Sequence, residues 1–263
     1  MRTLTSNTDQ RGVLTLCMNR PEVHNAFDAV MIQELTTALQ AADRDDMVRM
    51  VVITGTGSCF SAGADLNWMR SLVNASQDDN ERDALRLADL MRSLNYLSKP
   101  TIARINGAAF GGGVGLIAAC DITIAVDSAR FGLTEARLGL VPAVISPYVI
   151  RRMGETHARR YFLSAERFDS QRAFDIGLVQ QTVAAEHLDD MLEQMIRQVL
   201  NGGPLAVAHC KQLVFEIAGH NEHTQRKTDE MTARLIARLR VSPEGQEGLA
   251  AFLEKRNPNW INK

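Results

Sequence analysis

Two glycine-bearing segments contain the groups best suited to chemistry: F-S-A-G-A-D at residues 60–65 and G-A-A-F-G-G-G-V-G-L at residues 107–116. Each follows an apolar, strand-like run, at residues 50–54 and 101–105 respectively. A chain that turns sharply after a strand presents unpaired N–H groups, and glycine lets its backbone come close to a ligand. Two such turns facing each other would donate two hydrogen bonds to one oxygen atom, which is the arrangement of an oxyanion hole. Two ordinary strand-to-helix turns remain the alternative, because short glycine motifs often occur without a function.

The segments that must position these turns alternate between strand and helix patterns. Strands are predicted at residues 13–18, 48–54, 101–105 and 122–126, and helices at residues 28–45 and 80–97. This alternation predicts an α/β fold.

Beyond about residue 145 the pattern becomes helical. Helices are predicted at residues 148–153, 156–163, 170–176, 187–200, 204–218 and 222–241. A helical third with this many apolar faces is expected to pack on neighbouring subunits rather than to bury all of them alone.

The composition argues against several classes of protein. A net charge of −2 over 263 residues gives no basic excess for nucleic acid as the main partner. The four cysteines form no C-x-x-C pair and the six histidines no H-x-x-x-H pair, so no metal site is expected. No apolar run approaches the roughly 18 residues that span a bilayer, and the N-terminus lacks the apolar region of a signal peptide. These features predict a soluble, cytoplasmic protein without a metal.

Five motifs in order carry a resemblance that covers nearly all of the chain. They start with N-R-P-E-V-H-N-A-F (19–27), include both glycine segments, and end with F-G-L-T-E-A-R-L-G-L-V-P (131–142) and S-P-E-G-Q-E-G-L-A-A-F-L-E-K-R-N-P-N-W (242–260). In these motifs the chain resembles the crotonase family, the enoyl-CoA hydratase/isomerase superfamily.

The resemblance implies an α/β fold with a crotonase-type ββα spiral core at residues 1–200 and a C-terminal helical trimerisation region at residues 201–263. It also implies an acyl-CoA thioester substrate and a homotrimer or hexamer. No separate cofactor is expected, because coenzyme A is part of the substrate.

The resemblance also assigns catalytic roles. It makes the backbone amides of Ala64 and Gly112 the oxyanion-hole donors. Hydratases of the family use two glutamates, at the last positions of G-G-G-x-E and F-G-x-x-E; here Gly115 stands at the first and only Glu135 remains at the second. Burial in an apolar pocket would raise the pKa of Glu135 and suit it to acid–base work near neutral pH. A surface ion pair with Arg137 is the alternative.

One glutamate is compatible with two reactions. It could activate water for addition to a 2-enoyl thioester, or move a proton from C2 to C4 of a 3-enoyl thioester. The phrases G-L-V-P-A-V-I-S-P-Y and F-S-A-G-A-D-L-N-W-M-R are similar to a bacterial subgroup that contains the methylglutaconyl-CoA hydratases of leucine breakdown, which favours hydration. A non-catalytic oligomeric protein that binds CoA or RNA is a third hypothesis, against which the near-neutral charge and the intact glycine segments stand.

The resemblance further implies a set of neighbours for CoA and the acyl group. These are His24, Ala62, Asp65, Leu66, Trp68, Ala143, Phe252 and Lys255. Trp68 and Met69 would line the acyl pocket, with lid or core packing as the alternative. The Ala143 amide would orient a water. Lys255 would reach CoA, or else mark an exposed helix end.

A glutaconyl substrate carries a distal carboxylate that needs a cation, preferably arginine for a bidentate pair. Arg70 and Arg137 are the candidates named from the sequence. Both are alternatively solvated surface residues, as isolated arginines usually are.

Overall fold

Strands and helices alternate along the computed structural model, which describes residues 1–261. The strands are β1 (Leu4–Thr8), β2 (Val13–Met18), β3 (Met50–Gly55), β4 (Cys59–Ser61), β5 (Thr101–Ile105), β6 (Ala108–Phe110), β7 (Ile122–Val126), β8 (Arg130–Gly132), β9 (Arg167–Asp169) and β10 (Gln181–Val183). The α-helices are α1 (Ala29–Arg44), α2 (Leu66–Val73), α3 (Gln77–Asn95), α4 (Gly112–Ala119), α5 (Ser146–Ser164), α6 (Ser170–Asp175), α7 (Leu188–Leu200), α8 (Pro204–Ile217), α9 (Glu222–Arg240) and α10 (Pro243–Leu253). Short 3-10 helices occupy Pro21–Val23, Glu135–Leu138 and Ala185–His187.

The strands form two sheets. The larger has the order β1-β2-β3-β5-β7-β10, and all its neighbouring strands are parallel except the antiparallel pair β1 and β2. The smaller has the order β4-β6-β8-β9, in which β8 and β9 are antiparallel. Every residue of β3 is buried, as expected for a central parallel strand covered on both faces.

A repeated unit links the two sheets. A strand of the large sheet is followed at once by a short strand of the small sheet, in the pairs β3–β4, β5–β6 and β7–β8, and a helical segment then returns the chain. This is the predicted α/β spiral of ββα units. Because β4, β6 and β8 are parallel, the turns that leave them meet at one edge of the small sheet.

Most predicted elements are confirmed with small shifts in their bounds. The predicted strands at 13–18, 101–105 and 122–126 have the same bounds in the structure, and the helix predicted over 28–45 is Ala29–Arg44. Asp28 caps that helix, because its side chain accepts a hydrogen bond of 2.8 Å from the Met31 amide. The first two helices predicted after residue 145, at residues 148–153 and 156–163, are joined in α5, which is interrupted at Gly154 (φ 77°, ψ 159°). The pattern does not indicate α2 or the three-residue strands, which are too short to show a period.

Two of the C-terminal helices bury apolar side chains within their own chain. Helix α9 packs along α3, and α10 packs on α2 and on the 3-10 helix Glu135–Leu138, where Ile236 and Leu249 join a buried cluster within the chain. Helix α8, by contrast, has no buried residue. Asn262 and Lys263, at the end of the predicted 201–263 region, lie outside the described residues. In the described part of the chain, no helix is both long and apolar enough to cross a membrane.

Candidate active site

A cavity of about 180 Å³ lies where the turns after β4, β6 and β8 meet. Helices α9 and α10 close its other side through Ile236, Leu249 and Phe252. Of the residues named from the sequence, those that line it are Ala62, Ala64, Trp68, Met69, Gly112, Glu135, Ala143 and Phe252. The structure therefore brings the two glycine turns and Glu135 to one place.

The first glycine turn leaves the amide of Ala64 free. The amides around it are bonded, those of Ala62, Phe27 and Asp65 donating to the carbonyl oxygens of His24, Gly63 and Phe27 at 2.9, 2.6 and 2.8 Å. Gly63 has a φ of 87°, which glycine adopts without strain. Over residues 1–261 the Ala64 N–H has no acceptor, although its residue lines the cavity.

The second glycine turn leaves the amide of Gly112 free. Gly111 has a φ of 49°, and Gly112 is the first residue of α4, where the opening amides have no partner inside the helix. Its N–H likewise finds no acceptor in the described part of the chain. The two turns are close together, since a Cβ placed on Gly63 would lie 2.9 Å from the Phe110 carbonyl oxygen. Two free amides on neighbouring turns are the groups that an oxyanion hole requires, and the dipole of α4 would favour negative charge there.

Glu135 faces these turns from the start of the 3-10 helix after β8. A Cβ placed on Gly111 would lie 3.1 Å from its Oε1 atom. Its Oε2 atom is buried and, within residues 1–261, has no hydrogen-bond partner. Burial raises the pKa of Glu135 to about 7, opposed only by a hydrogen bond to its own backbone. The alternative of an ion pair with the exposed Arg137 is not what the structure shows, because the described residues contain no such pair.

The position that lacks the family's first glutamate is filled by other side chains. A Cβ placed on Gly115 would lie 2.3 Å from Cγ2 of Ile145 and 3.2 Å from Cε of Met91. Gly115 is therefore required by close packing of α4, and its neighbourhood is apolar. A second carboxylate could not occupy this position without displacing Ile145.

The Ala143 amide does not have the role predicted for it. It donates a hydrogen bond of 2.8 Å to the Val141 carbonyl oxygen, so it is not free to orient a water. Val144 and Ile145, the next two residues of this loop, line the cavity. The correction arises because the loop makes its own tight turn, which the residue types alone do not reveal.

Trp68 and Met69 line the cavity from α2, and the Trp68 indole also has a polar partner. Its Nε1 donates to Oδ1 of Asp83 on α3 at 3.2 Å. Phe252 is 47% exposed and lies at the rim. These three side chains give the pocket an apolar wall.

The remaining predicted contacts lie outside the cavity lining. His24 and Leu66 are exposed, and Lys255, just beyond α10, is exposed with a φ of 55°. Asp65 is buried, and its carboxylate accepts from two α2 amides and from the Arg20 guanidinium. Their contact with CoA stays a prediction.

Neither arginine named from the sequence reaches the cavity lining. Arg70 is exposed and donates to Asn67, and Arg137 is exposed on the 3-10 helix.

Arg240 is a lining residue that the sequence did not indicate. It is the last residue of α9, and its side chain is 14% exposed. Its Nη1 atom lies 3.3 Å from Oδ2 of Asp83 and 3.4 Å from Oδ1 of Asn80, both on α3. Burial lowers the pKa of Arg240, an effect opposed by Asp83, but arginine remains charged. Arg240 reaches the cavity because α9 packs on α3. No local sequence pattern predicts that contact between two helices far apart in the chain.

Comparison with known proteins gives consistent matches. A sequence model of the family described as Enoyl-CoA hydratase/isomerase matches residues 8–263. The 2,3-dehydroadipyl-CoA hydratase of Escherichia coli is 32% identical over 95% of this chain and 96% of its own length. The 1,2-epoxyphenylacetyl-CoA isomerase of the same organism is 32% identical over 97% of each chain. The crystal structure of an enoyl-CoA hydratase from Shewanella pealeana is 43% identical, with a TM-score of 0.79 over 98% of this chain and 96% of that one.

Proposed function

Because the chain belongs to the enoyl-CoA hydratase/isomerase family, we propose that it catalyses the reversible addition of water to a short 2-enoyl-CoA. A branched or carboxylated acyl group, such as that of 3-methylglutaconyl-CoA, is the leading substrate. One observation carries the proposal: the buried Oε2 atom of Glu135, which has no hydrogen-bond partner among residues 1–261, shares a cavity with two backbone amides that are free over the same residues.

The amides would hold the thioester oxygen. As water adds to C3, negative charge moves onto this oxygen and an enolate forms. The N–H groups of Ala64 and Gly112 have no acceptor among residues 1–261, which leaves them available to receive that charge. One such donor is typically worth about 3–4 kcal/mol in the transition state.

Glu135 would handle both protons. Its carboxylate takes a proton from water as the oxygen bonds to C3, and the resulting acid then returns the proton to C2. A pKa of about 7 leaves a large share of the groups ionised at neutral pH and makes the acid form accessible. One residue therefore suffices for addition of H and OH.

Two of the three named relatives support hydration, whereas the third, the 1,2-epoxyphenylacetyl-CoA isomerase, is named as an isomerase. Both the Escherichia coli protein that acts on 2,3-dehydroadipyl-CoA and the Shewanella protein are called hydratases. The substrate in the name of the Escherichia coli protein is an enoyl-CoA with a second carboxylate, which is the class of acyl group proposed here.

Double-bond isomerisation is a second candidate, favoured by the apolar wall. Ile145 and Met91 fill the space beside Gly115, and the Ala143 amide is already bonded. A water beside Glu135 would thus have few polar partners, whereas ordered buried waters typically have about three. In this reaction Glu135 would remove a proton from C2 of a 3-enoyl thioester and return it to C4.

Product mass separates the two reactions. The protein would be incubated in water enriched in oxygen-18 with crotonyl-CoA, 3-butenoyl-CoA and 3-methylglutaconyl-CoA, beside a Glu135→Gln control. We expect the 2-enoyl substrates to gain a labelled water only when Glu135 is present. Unchanged 2-enoyl substrates, together with conversion of 3-butenoyl-CoA to crotonyl-CoA at unchanged mass, detected as a change in chromatographic retention, would replace hydration by isomerisation.

We also propose that the working unit is a homotrimer or hexamer. Helix α8 supports this, because it has no buried residue and exposes Leu205, Leu213, Val214 and Ile217. Several apolar side chains on one helix favour contact with another subunit.

A further inference from the structure

The acyl cavity contains a charge that the proposed chemistry does not use. Glu135 and Arg240 are the two charged residues of its lining, and the other lining side chains are apolar apart from Thr134. A buried charge is costly unless it is paired or serves a ligand. In the hydration of an uncharged enoyl group, Arg240 would have no charged partner on the substrate.

Arg240 is held in place through one edge of its guanidinium. Both of its polar contacts, to Asp83 and to Asn80, are made by Nη1. The Asn80 amide nitrogen donates to the carbonyl oxygens of Leu72, Ala75 and Ser76, which turns its Oδ1 toward Arg240. Among residues 1–261, no acceptor contacts Nη2 or Nε of Arg240.

A purely structural ion pair with Asp83 explains this geometry poorly. A guanidinium and a carboxylate that serve only each other tend to form two parallel hydrogen bonds. Here Asp83 contacts a single nitrogen of Arg240 at 3.3 Å and gives its other oxygen to the Trp68 indole. The arrangement holds Arg240 in position and leaves its Nη2 and Nε atoms able to donate hydrogen bonds to a ligand.

We propose that Arg240 binds a carboxylate at the far end of the acyl group, so that the protein selects CoA thioesters of dicarboxylic acids over uncharged thioesters of the same length. This rests on the proposed function, since it assumes that the cavity holds an acyl group. Arg240 takes the place of Arg70 and Arg137, which lie outside the lining. It is a specificity residue and has no part in the proton transfers.

Binding of saturated thioesters tests the proposal without requiring turnover. Glutaryl-CoA and pentanoyl-CoA have the same chain length and differ in a terminal carboxylate or methyl group. The ratio of their dissociation constants would be measured by calorimetry for the wild type, for Arg240→Met and for Arg70→Met as the matched control. A charge-assisted contact predicts that the preference for glutaryl-CoA falls on the order of ten- to hundredfold in Arg240→Met. Arg70→Met is expected to keep the wild-type ratio.

A second variant guards against misfolding. Arg240→Met leaves Asp83 buried without its cation, which is strongly destabilising in buried pairs. The double variant Arg240→Met/Asp83→Asn removes both charges, and its fold would be checked by circular dichroism and thermal unfolding. It is expected to show the same loss of preference.

Two results would overturn the proposal: a wild type that binds pentanoyl-CoA more tightly than glutaryl-CoA, or a folded double variant that keeps the wild-type ratio. Turnover of glutaconyl-CoA and 2-pentenoyl-CoA would be measured in parallel. If the binding preference depends on Arg240 but neither thioester is hydrated, the proposed function fails and the carboxylate site stands. If both thioesters are hydrated and the ratio of the dissociation constants is unchanged by the substitution of Arg240, the proposed hydratase function stands and the carboxylate site fails.

Discussion

At the scale of single residues, the site depends on an acid placed where its charged form is poorly solvated. The Oε2 atom of Glu135 is buried and has no hydrogen-bond partner among residues 1–261, and desolvation raises the pKa of Glu135 to about 7. Such a group is useful as an acid–base catalyst, and it is also a cost to the folded state whenever it is ionised. The same feature therefore predicts an effect on stability.

We predict that Glu135→Gln removes a pH dependence of stability. The folded-state pKa of about 7 lies above the ordinary value of 4.5, so the folded protein holds this proton more tightly than the unfolded chain does. The resulting stability is fully present below about pH 4.5 and is lost as the pH rises through about 7. Between these two pH values the free energy of unfolding of the wild type should fall by on the order of 2–3 kcal/mol relative to that of Glu135→Gln.

Urea unfolding of both proteins across this pH range would check the prediction. The quantity of interest is the difference between the two proteins, which cancels the titration of all other groups. A difference that does not change with pH would show that Glu135 titrates normally in the folded state.

At the scale of elements, helix α4 and the loop before α5 are packed too closely for any side chain at Gly115. The nearest atom to a Cβ placed there would be Cγ2 of Ile145, at 2.3 Å. The space beside Gly115 is thus filled by apolar atoms of Ile145 and Met91. This packing also makes position 115 sensitive to a single methyl group.

We predict that Gly115→Ala destabilises the protein by about 1–3 kcal/mol through overpacking, although alanine is intrinsically the better helix former. In an Ile145→Ala background the same change should cost at least about 1 kcal/mol less, because Cγ2 is gone. A thermal or urea double-mutant cycle measures this coupling. A stabilising Gly115→Ala, or an equal cost in both backgrounds, would show that the helix is not constrained by Ile145.

The elements also show what the sequence can and cannot predict. The strand at Val13–Met18 is long and apolar enough to be recognised, whereas the three-residue strand Cys59–Ser61 exists only because it pairs with its neighbour Ala108–Phe110. The glycine turn predicts unpaired amides and the family resemblance singles out that of Ala64, but the bonded amide of Ala143 depends on a local turn that no motif marks. Arg240 comes to the cavity through the packing of two helices distant in sequence.

At the scale of the whole molecule, α8 stands out among the α-helices of residues 1–261 because none of its residues is buried. It forms one wall of a cleft of about 730 Å³ that also includes Lys99 and Lys211, and the residues predicted for the site lie elsewhere. Leu205 and Ile217 are 77% and 83% exposed. Helices α9 and α10, in contrast, bury apolar side chains such as Ile236 and Leu249 over the cavity that contains Glu135 in their own chain.

We predict that α8 supplies the contact between subunits. Val214→Asp combined with Ile217→Asp should shift the protein from an oligomer toward the monomer, because charges in an apolar interface lose their hydration. Light scattering after size-exclusion chromatography measures the mass, with Met47→Asp as a control for a residue of similar exposure outside α8. A wild type that is monomeric, or an α8 variant of unchanged mass, would contradict this assignment.

The most direct test of the account is the pH dependence of kcat/KM for hydration of crotonyl-CoA by the wild type and Glu135→Gln. With a carboxylate as the essential base, kcat/KM should fall about tenfold per pH unit below about pH 7 and level off above it. Glu135→Gln should be slower by about 10²–10⁴-fold at the plateau. A flat profile through pH 7, or a variant within about tenfold of the wild type, would contradict the claim that Glu135 is the acid–base group of this cavity.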